Sequence, residues 1–76
     1  MMTIGQHINQ ARLDRGMSID ELADKADVNR HTLIGWIYQG HLPNIVLLIG
    51  IADALEVSLD DLVGRKVKNE NQDKLF

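Results

Sequence analysis

Read at about 100° per residue, the apolar positions of this chain fall into short stripes separated by glycine, proline, asparagine and serine. Ile4, Ile8 and Ala11 share one face of a first helix. Thr3 and Gln6 have the spacing of a capping box, so that helix starts at Ile4, and Gly16 ends it as a C′ glycine. Ser18 and Glu21 repeat the capping box and open a second stripe, Ile19, Leu22, Ala23 and Ala26. Asp27 stands where the chain must turn, and aspartate tolerates left-handed backbone better than most residues. Asn29 suits the N-cap of a third helix that turns Leu33, Trp36 and Ile37 inward, and Gln39 to Pro43 breaks it. Asn44 caps a fourth helix, Ile45 to about Glu56. Ser58 caps a short fifth, Leu59 to Val63, closed by Gly64. No alternating pattern, repeat or low-complexity segment competes. The expectation is an all-α, compact five-helix domain over residues 1–64, followed by a polar, flexible tail over 65–76.

The fourth helix departs from simple amphipathicity. Ile45, Leu48, Ile49, Ile51, Ala52 and Leu55 cover one wide face, as a core helix should. Val46, Leu47, Gly50 and Ala54 form a second apolar face, with only Asp53 charged before Glu56. A helix apolar all round is normally buried all round. So small a domain has nothing left to cover the second face, so Val46, Leu47, Gly50 and Ala54 are expected to form a dimer interface with a second copy.

Composition removes several classes. The 76 residues contain no cysteine, so hydrophobic packing alone, without disulfides or a zinc–cysteine site, must hold the fold. No apolar run approaches the roughly 18 residues of a membrane span, and no signal-peptide pattern appears. A cytoplasmic protein with no membrane partner is expected. Residues 1–64 carry four cations against nine anions, a net −5, while 65–76 carry four cations against two anions, a net +2. That balance runs against a nucleic-acid partner, since DNA binders usually show a basic footprint. Net charge does not report local patches, however. The segment from Ser18 to Trp36 is a short amphipathic helix, a tight break, and a second helix whose outer face is polar and mostly uncharged. That is the form of a helix-turn-helix, and it makes double-stranded DNA the expected partner.

From Ile4 to Gly64 the chain resembles the five-helix, lambda-repressor-like helix-turn-helix family, the phage repressor/Cro or Xre type. The resemblance rests on Ile8 with Arg12, Gly16-Met17-Ser18, Leu22-Ala23 with Ala26, Val28, Leu33 with Trp36, and Gly40 with Pro43. It continues through Leu48, Ile51-Ala52 and Leu55 to Val57-Ser58-Leu59-Asp60-Asp61-Leu62. It implies that the start of the third helix, Asn29, Arg30 and His31, meets base edges, with Ile34 and Gly35 on the next exposed turn. It implies phosphate contacts at Ser18 and at Gln39-Gly40-His41. Three features depart from the family pattern. Ile19 replaces a common glutamine. Ile37 replaces the carboxylate that usually pairs with the Arg12 position, leaving Arg12 without its expected partner. The third helix or its loop is one residue longer before Gly40.

The residues themselves add detail. Arg30 carries a rigid fork suited to guanine O6 and N7. His31 is placed to donate to a base or a phosphate. Ile34 is set either to pack on a thymine methyl or to fringe the core, and Gly35 to allow close backbone approach to the groove. Thr32 and Tyr38 are further phosphate candidates, and the start of the second helix at Ser18 is a ready anion site. His7, His31 and His41 lie on three segments without metal-ligand spacing, and no placed serine–histidine pair or glycine-rich phosphate loop exists. No enzyme, cofactor, metal or small-molecule substrate is expected. The leading expectation is a repressor-like regulator that binds an inverted-repeat operator as a homodimer. The alternative is a protein-interaction module of the same fold, antitoxin-like or regulator-binding, that uses the apolar back of the fourth helix.

Overall fold

The computed structural model describes residues 2–64 and arranges them as α1 (Ile4–Asp14), α2 (Ile19–Ala26), α3 (Arg30–Tyr38), α4 (Ile45–Leu55) and α5 (Leu59–Val63). The tail expected to be flexible lies outside the described residues. Local chemistry sets the helix boundaries. Reciprocal capping boxes join Thr3 to Gln6, Ser18 to Glu21 and Ser58 to Asp61. The side chains of Asn29 and Asn44 accept the backbone N–H of His31 and Leu47. Each box satisfies N–H groups that the helix ladder leaves over.

The helices end as locally. Gly16 takes φ +66°, and the N–H groups of Gly16 and Met17 return to the carbonyls of Leu13 and Arg12. That is a Schellman closure. Asp27 adopts the left-handed conformation expected of it, φ 56° and ψ 45°. The fourth helix stops one residue earlier than its pattern suggests, because Glu56 also turns left-handed at φ 57°.

The core draws on every helix. Ile8 of α1, Leu22 of α2, Leu33 of α3, Ile51 and Leu55 of α4 and Leu62 of α5 are fully buried. Burying one such side chain contributes about 1.5–3 kcal/mol. No polar or charged side chain is buried among the described residues, so packing dominates. The helix pairs in contact are α1 with α3, α5 and α4, α2 with α3 and α4, and α4 with α5. At the α1–α3 crossing Gly5 is buried, and a Cβ there would overlap the carbonyl oxygen of Trp36.

Helix α4 divides its faces differently from the periodicity. Leu48, Ile51, Ala52 and Leu55 are buried, but Ile45 and Ile49, assigned to the core, are 61% and 44% exposed. Of the four residues assigned to a dimer interface, Leu47 and Ala54 pack partly against the core and Gly50 is half-buried, its vacant Cβ position 3.6 Å from the Ala26 carbonyl. The cause is α2, which lies along that flank. Val46 alone of the four is open, at 72% exposure. The exposed apolar residues of α4 are therefore Ile45, Val46 and Ile49, and Leu42 in the preceding loop is 70% exposed. No described helix is long and apolar enough to cross a membrane.

Candidate nucleic-acid interface

Helices α2 and α3 are joined by Asp27, Val28 and Asn29. Val28 packs against the core, and its N–H donates to the Ala23 carbonyl. Because Leu22 and Ala23 of α2 and Leu33, Trp36 and Ile37 of α3 share that core, the relative placement of the two helices is fixed by packing. The inner face of α3 is the one expected from sequence. Its outer face carries Arg30, His31 and Tyr38, all exposed, with Ile34 half-exposed between them. These four fall within about 100° of one another around the helix axis.

Not every expected contact shares that face. The Oδ1 of Asn29 accepts the His31 N–H at 2.7 Å, so its carbonyl end serves the helix cap. Thr32 is exposed on the opposite flank. Gly35 is buried, contrary to its expected approach to the groove. The Nδ1 of His41 lies 2.9 Å from where a Cβ of Gly35 would stand, with Gln39 Oε1 at 3.7 Å. The loop after α3 folds back over Gly35, and the N–H groups of Gln39 and His41 both donate to its carbonyl at 3.1 Å. The glycine admits the loop to the helix. Gln39, Gly40 and His41 are exposed beside it, Gly40 at φ +75°.

The capping box expected at the start of α2 is present, and it bears on the anion site expected there. Ser18 Oγ accepts the Glu21 N–H at 3.0 Å, and Glu21 Oε1 accepts the Ser18 N–H at 3.1 Å. A carboxylate of the chain itself thus occupies part of the anion site proposed for a phosphate. Asp20, the next acid, pairs with Arg30, Nε to Oδ1 at 2.9 Å.

The other cations face elsewhere. Arg12 has partners that the family pattern does not supply. Its Nε and Nη2 donate to Asn9 Oδ1 at 3.1 and 2.7 Å, and its Nη1 donates to the Met17 carbonyl at 2.8 Å. It fastens α1 to the turn before α2. Arg15 donates to the Glu56 carbonyl at 3.1 Å with the Glu56 carboxylate 3.8 Å away, tying the ends of α1 and α4. Lys25 lines an open groove between α2 and α4, with Ala26, Gly50, Asp53, Ala54 and Glu56. Among the four cations of the described residues, Arg30 alone lies on the outer face of α3.

Two capped helices at a fixed angle, a three-residue turn, and a second helix with an exposed, largely uncharged outer face define a helix-turn-helix DNA-binding domain. A helix-turn-helix family model matches residues 8–62, and the chain belongs to that family, of the Xre, lambda-repressor-like type, a family of DNA-binding regulators and not of enzymes. Among solved structures it is similar to the restriction-modification controller protein C.AhdI from Aeromonas hydrophila. The TM-score is 0.74 at 24% identity, over 78% of this chain and 89% of that one. It is also similar to a transcriptional regulator from Listeria innocua, with TM-score 0.71 at 23% identity, over 96% of this chain and 70% of that one. At these identities the likeness is one of fold. No curated protein matches the sequence.

Proposed function

We propose that this protein is a sequence-specific, repressor-like transcription regulator that binds an inverted-repeat operator as a homodimer, with α3 in the major groove. The observation that carries the reading is the outer face of α3. Arg30 is exposed there with a fork suited to guanine, Ile34 is half-exposed and apolar as a contact for a thymine methyl must be, and His31 and Tyr38 flank them. Asn29 borders this face through its amide. Thr32, Tyr38, Gln39, Gly40 and His41 are the phosphate candidates, and Ser18 is the weakest of them because Glu21 already caps it. For the second copy, the surface supported by exposure is Leu42, Ile45, Val46 and Ile49 in place of the flank lying against α2.

Selection of bound sequences from a random DNA pool tests this. An inverted repeat is expected, its half-sites about one helical turn, roughly 34 Å, apart. The exposed apolar surface of α4 and the net −5 of residues 1–64 favour a second reading, a protein-interaction module of the same fold. A pool without enrichment would select it.

A further inference from the structure

The charge of Asp20 is out of place for a DNA-binding surface, yet its position is specific. It lies in the first turn of α2, and its Oδ1 sits 2.9 Å from Nε of Arg30, the first residue of α3. Both side chains are well exposed, 74% and 59%, so the pair contributes little to stability. Its geometry matters more. A guanidinium has two edges that can form paired hydrogen bonds, the side edge through Nε and Nη2 and the end through Nη1 and Nη2. Asp20 takes the side edge at Nε. Among the described residues nothing engages Nη1 or Nη2, and those two nitrogens form the fork that pairs with guanine O6 and N7.

We infer that Asp20 is a positioning residue for Arg30, holding its guanidinium by Nε so that the Nη1/Nη2 end is presented to a base, and that it thereby sets specificity at one base pair per half-site. The inference rests on the reading of α3 as the recognition helix. An arginine ordered before binding loses less side-chain freedom when it meets its base. The neighbouring acids do not share the role. Glu21 is committed to the N–H of Ser18. Asp24, one turn along α2, has no side-chain partner among the described residues and serves as an internal control.

Two effects of opposite sign separate positioning from repulsion. Removing a carboxylate near phosphates raises affinity for every duplex alike. Removing the support of Arg30 lowers affinity for the operator only. The experiment uses the full chain as wild type, Asp20→Asn, Asp24→Asn, Arg30→Ala and Asp20→Asn/Arg30→Ala, with folding checked by circular dichroism. Each is titrated on the selected operator, on its single base-pair variants and on a scrambled duplex.

Asp20→Asn is expected to lower the operator-to-scrambled affinity ratio by about 3- to 10-fold and to relax the same base pair as Arg30→Ala. In the Arg30→Ala background it should leave preference unchanged. Asp24→Asn should raise affinity on all duplexes without altering preference. If Asp20→Asn behaves as Asp24→Asn does, Asp20 is a repelling charge and the inference is overturned. It is equally overturned if Asp20→Asn relaxes a different base pair, because Asp20 would then be in contact with DNA itself. Failure of the wild type to enrich any sequence removes the recognition reading, and this inference with it. That outcome is distinguishable because it appears before any variant is compared.

Discussion

Gly5 of α1 faces the backbone carbonyl of Trp36 in α3 with no space for a Cβ between them. The Cα of Ile37 closes the same site at 3.1 Å from the position a Cβ would take. Both neighbours are main chain, so the clash cannot be relieved by turning a side chain. Gly5→Ala ought to gain about 1 kcal/mol in helix propensity, but it must push α1 off α3, and overpacking of that kind costs about 1–3 kcal/mol, sometimes more. Because the clash is with main chain, the cost lies toward the upper end of that range, and we expect a net loss of roughly 1–2 kcal/mol, seen as a melting temperature lower by about 4–16 °C. An unchanged or raised melting temperature would mean that the two helices are not in such close approach.

Glu56 supplies a test with the opposite sense. It holds φ 57° at the end of α4, a conformation that costs an L-residue roughly 1–2 kcal/mol. Its carbonyl accepts from Arg15 Nη2, and that bond survives any substitution that keeps the backbone in place. The ion pair between the two side chains is exposed and long, and contributes about 1 kcal/mol at most. Glu56→Gly should therefore be at least as stable as the wild type in urea denaturation, while Glu56→Val should lose about 1–2 kcal/mol. The reverse order would show that α4 does not end in a left-handed turn.

These two residues also mark what the sequence does and does not carry. Thr3, Ser18, Asn29, Asn44 and Ser58 act on groups two or three residues away, so their caps were legible from spacing alone. Asp27 and Gly16 were legible because few residues suit a left-handed turn. Gly5 was not, since the reason for its lack of a side chain lies 31 positions away, in Trp36. Glu56 carries no turn signal of its own. Periodicity places the residues of α4 around the helix but cannot say which flank α2 covers, so the pattern points Ile45 and Ile49 inward and Leu47, Gly50 and Ala54 outward, where the structure has the reverse. At the site, the face of α3 was readable from its pattern. The cover of His41 over Gly35, and the hold of Asp20 on Arg30, arise only when separate segments meet.

Arg12 yields a prediction that separates architecture from recognition. Its three hydrogen bonds to Asn9 and the Met17 carbonyl are part-buried. Hydrogen bonds of a charged group contribute about 1.5–3 kcal/mol when shielded, and partial exposure reduces that here. Arg12→Gln should lower unfolding free energy by about 1–2 kcal/mol while the folded protein keeps its affinity for both operator and scrambled DNA. A loss of affinity on both duplexes without a loss of stability would make Arg12 a phosphate contact.

The open face of α4 predicts how dimerisation responds to two substitutions. Val46 is the most exposed residue of the apolar surface, so Val46→Asp should yield a folded monomer in analytical ultracentrifugation and weaken operator binding. Gly50 is different. A Cβ there makes only ordinary contact with the Ala26 carbonyl at 3.6 Å, and Gly50→Ala should stabilise the fold by about 0.5–1 kcal/mol without changing the oligomeric state. If instead Gly50→Ala dissociates the dimer and Val46→Asp does not, the copies meet along the α2 flank.

The salt dependence of DNA binding follows from where the cations are. Arg12 and Arg15 are held by backbone carbonyls and neighbouring side chains, and Lys25 lies in the α2–α4 groove. Only Arg30 remains on the face of α3, and Asp20 partly offsets it. Each phosphate neutralised by a protein cation contributes about 0.9 to the slope of log affinity against log salt. The described residues of the proposed dimer should therefore release few counterions, with a slope between about −1 and −3. Affinity should fall less than about 100-fold between roughly 50 and 200 mM salt, where a protein making many phosphate contacts loses a thousandfold or more. Fluorescence anisotropy titrations across that range measure it. Arg65, Lys66, Lys68 and Lys74 lie outside the described residues. If the slope is far steeper, replacing those four with glutamine in the full chain tests their part. A return to a shallow slope would assign the extra phosphate contacts to them. A slope that stays steep would place Lys25 or Arg15 on the DNA and contradict the orientation proposed for α3.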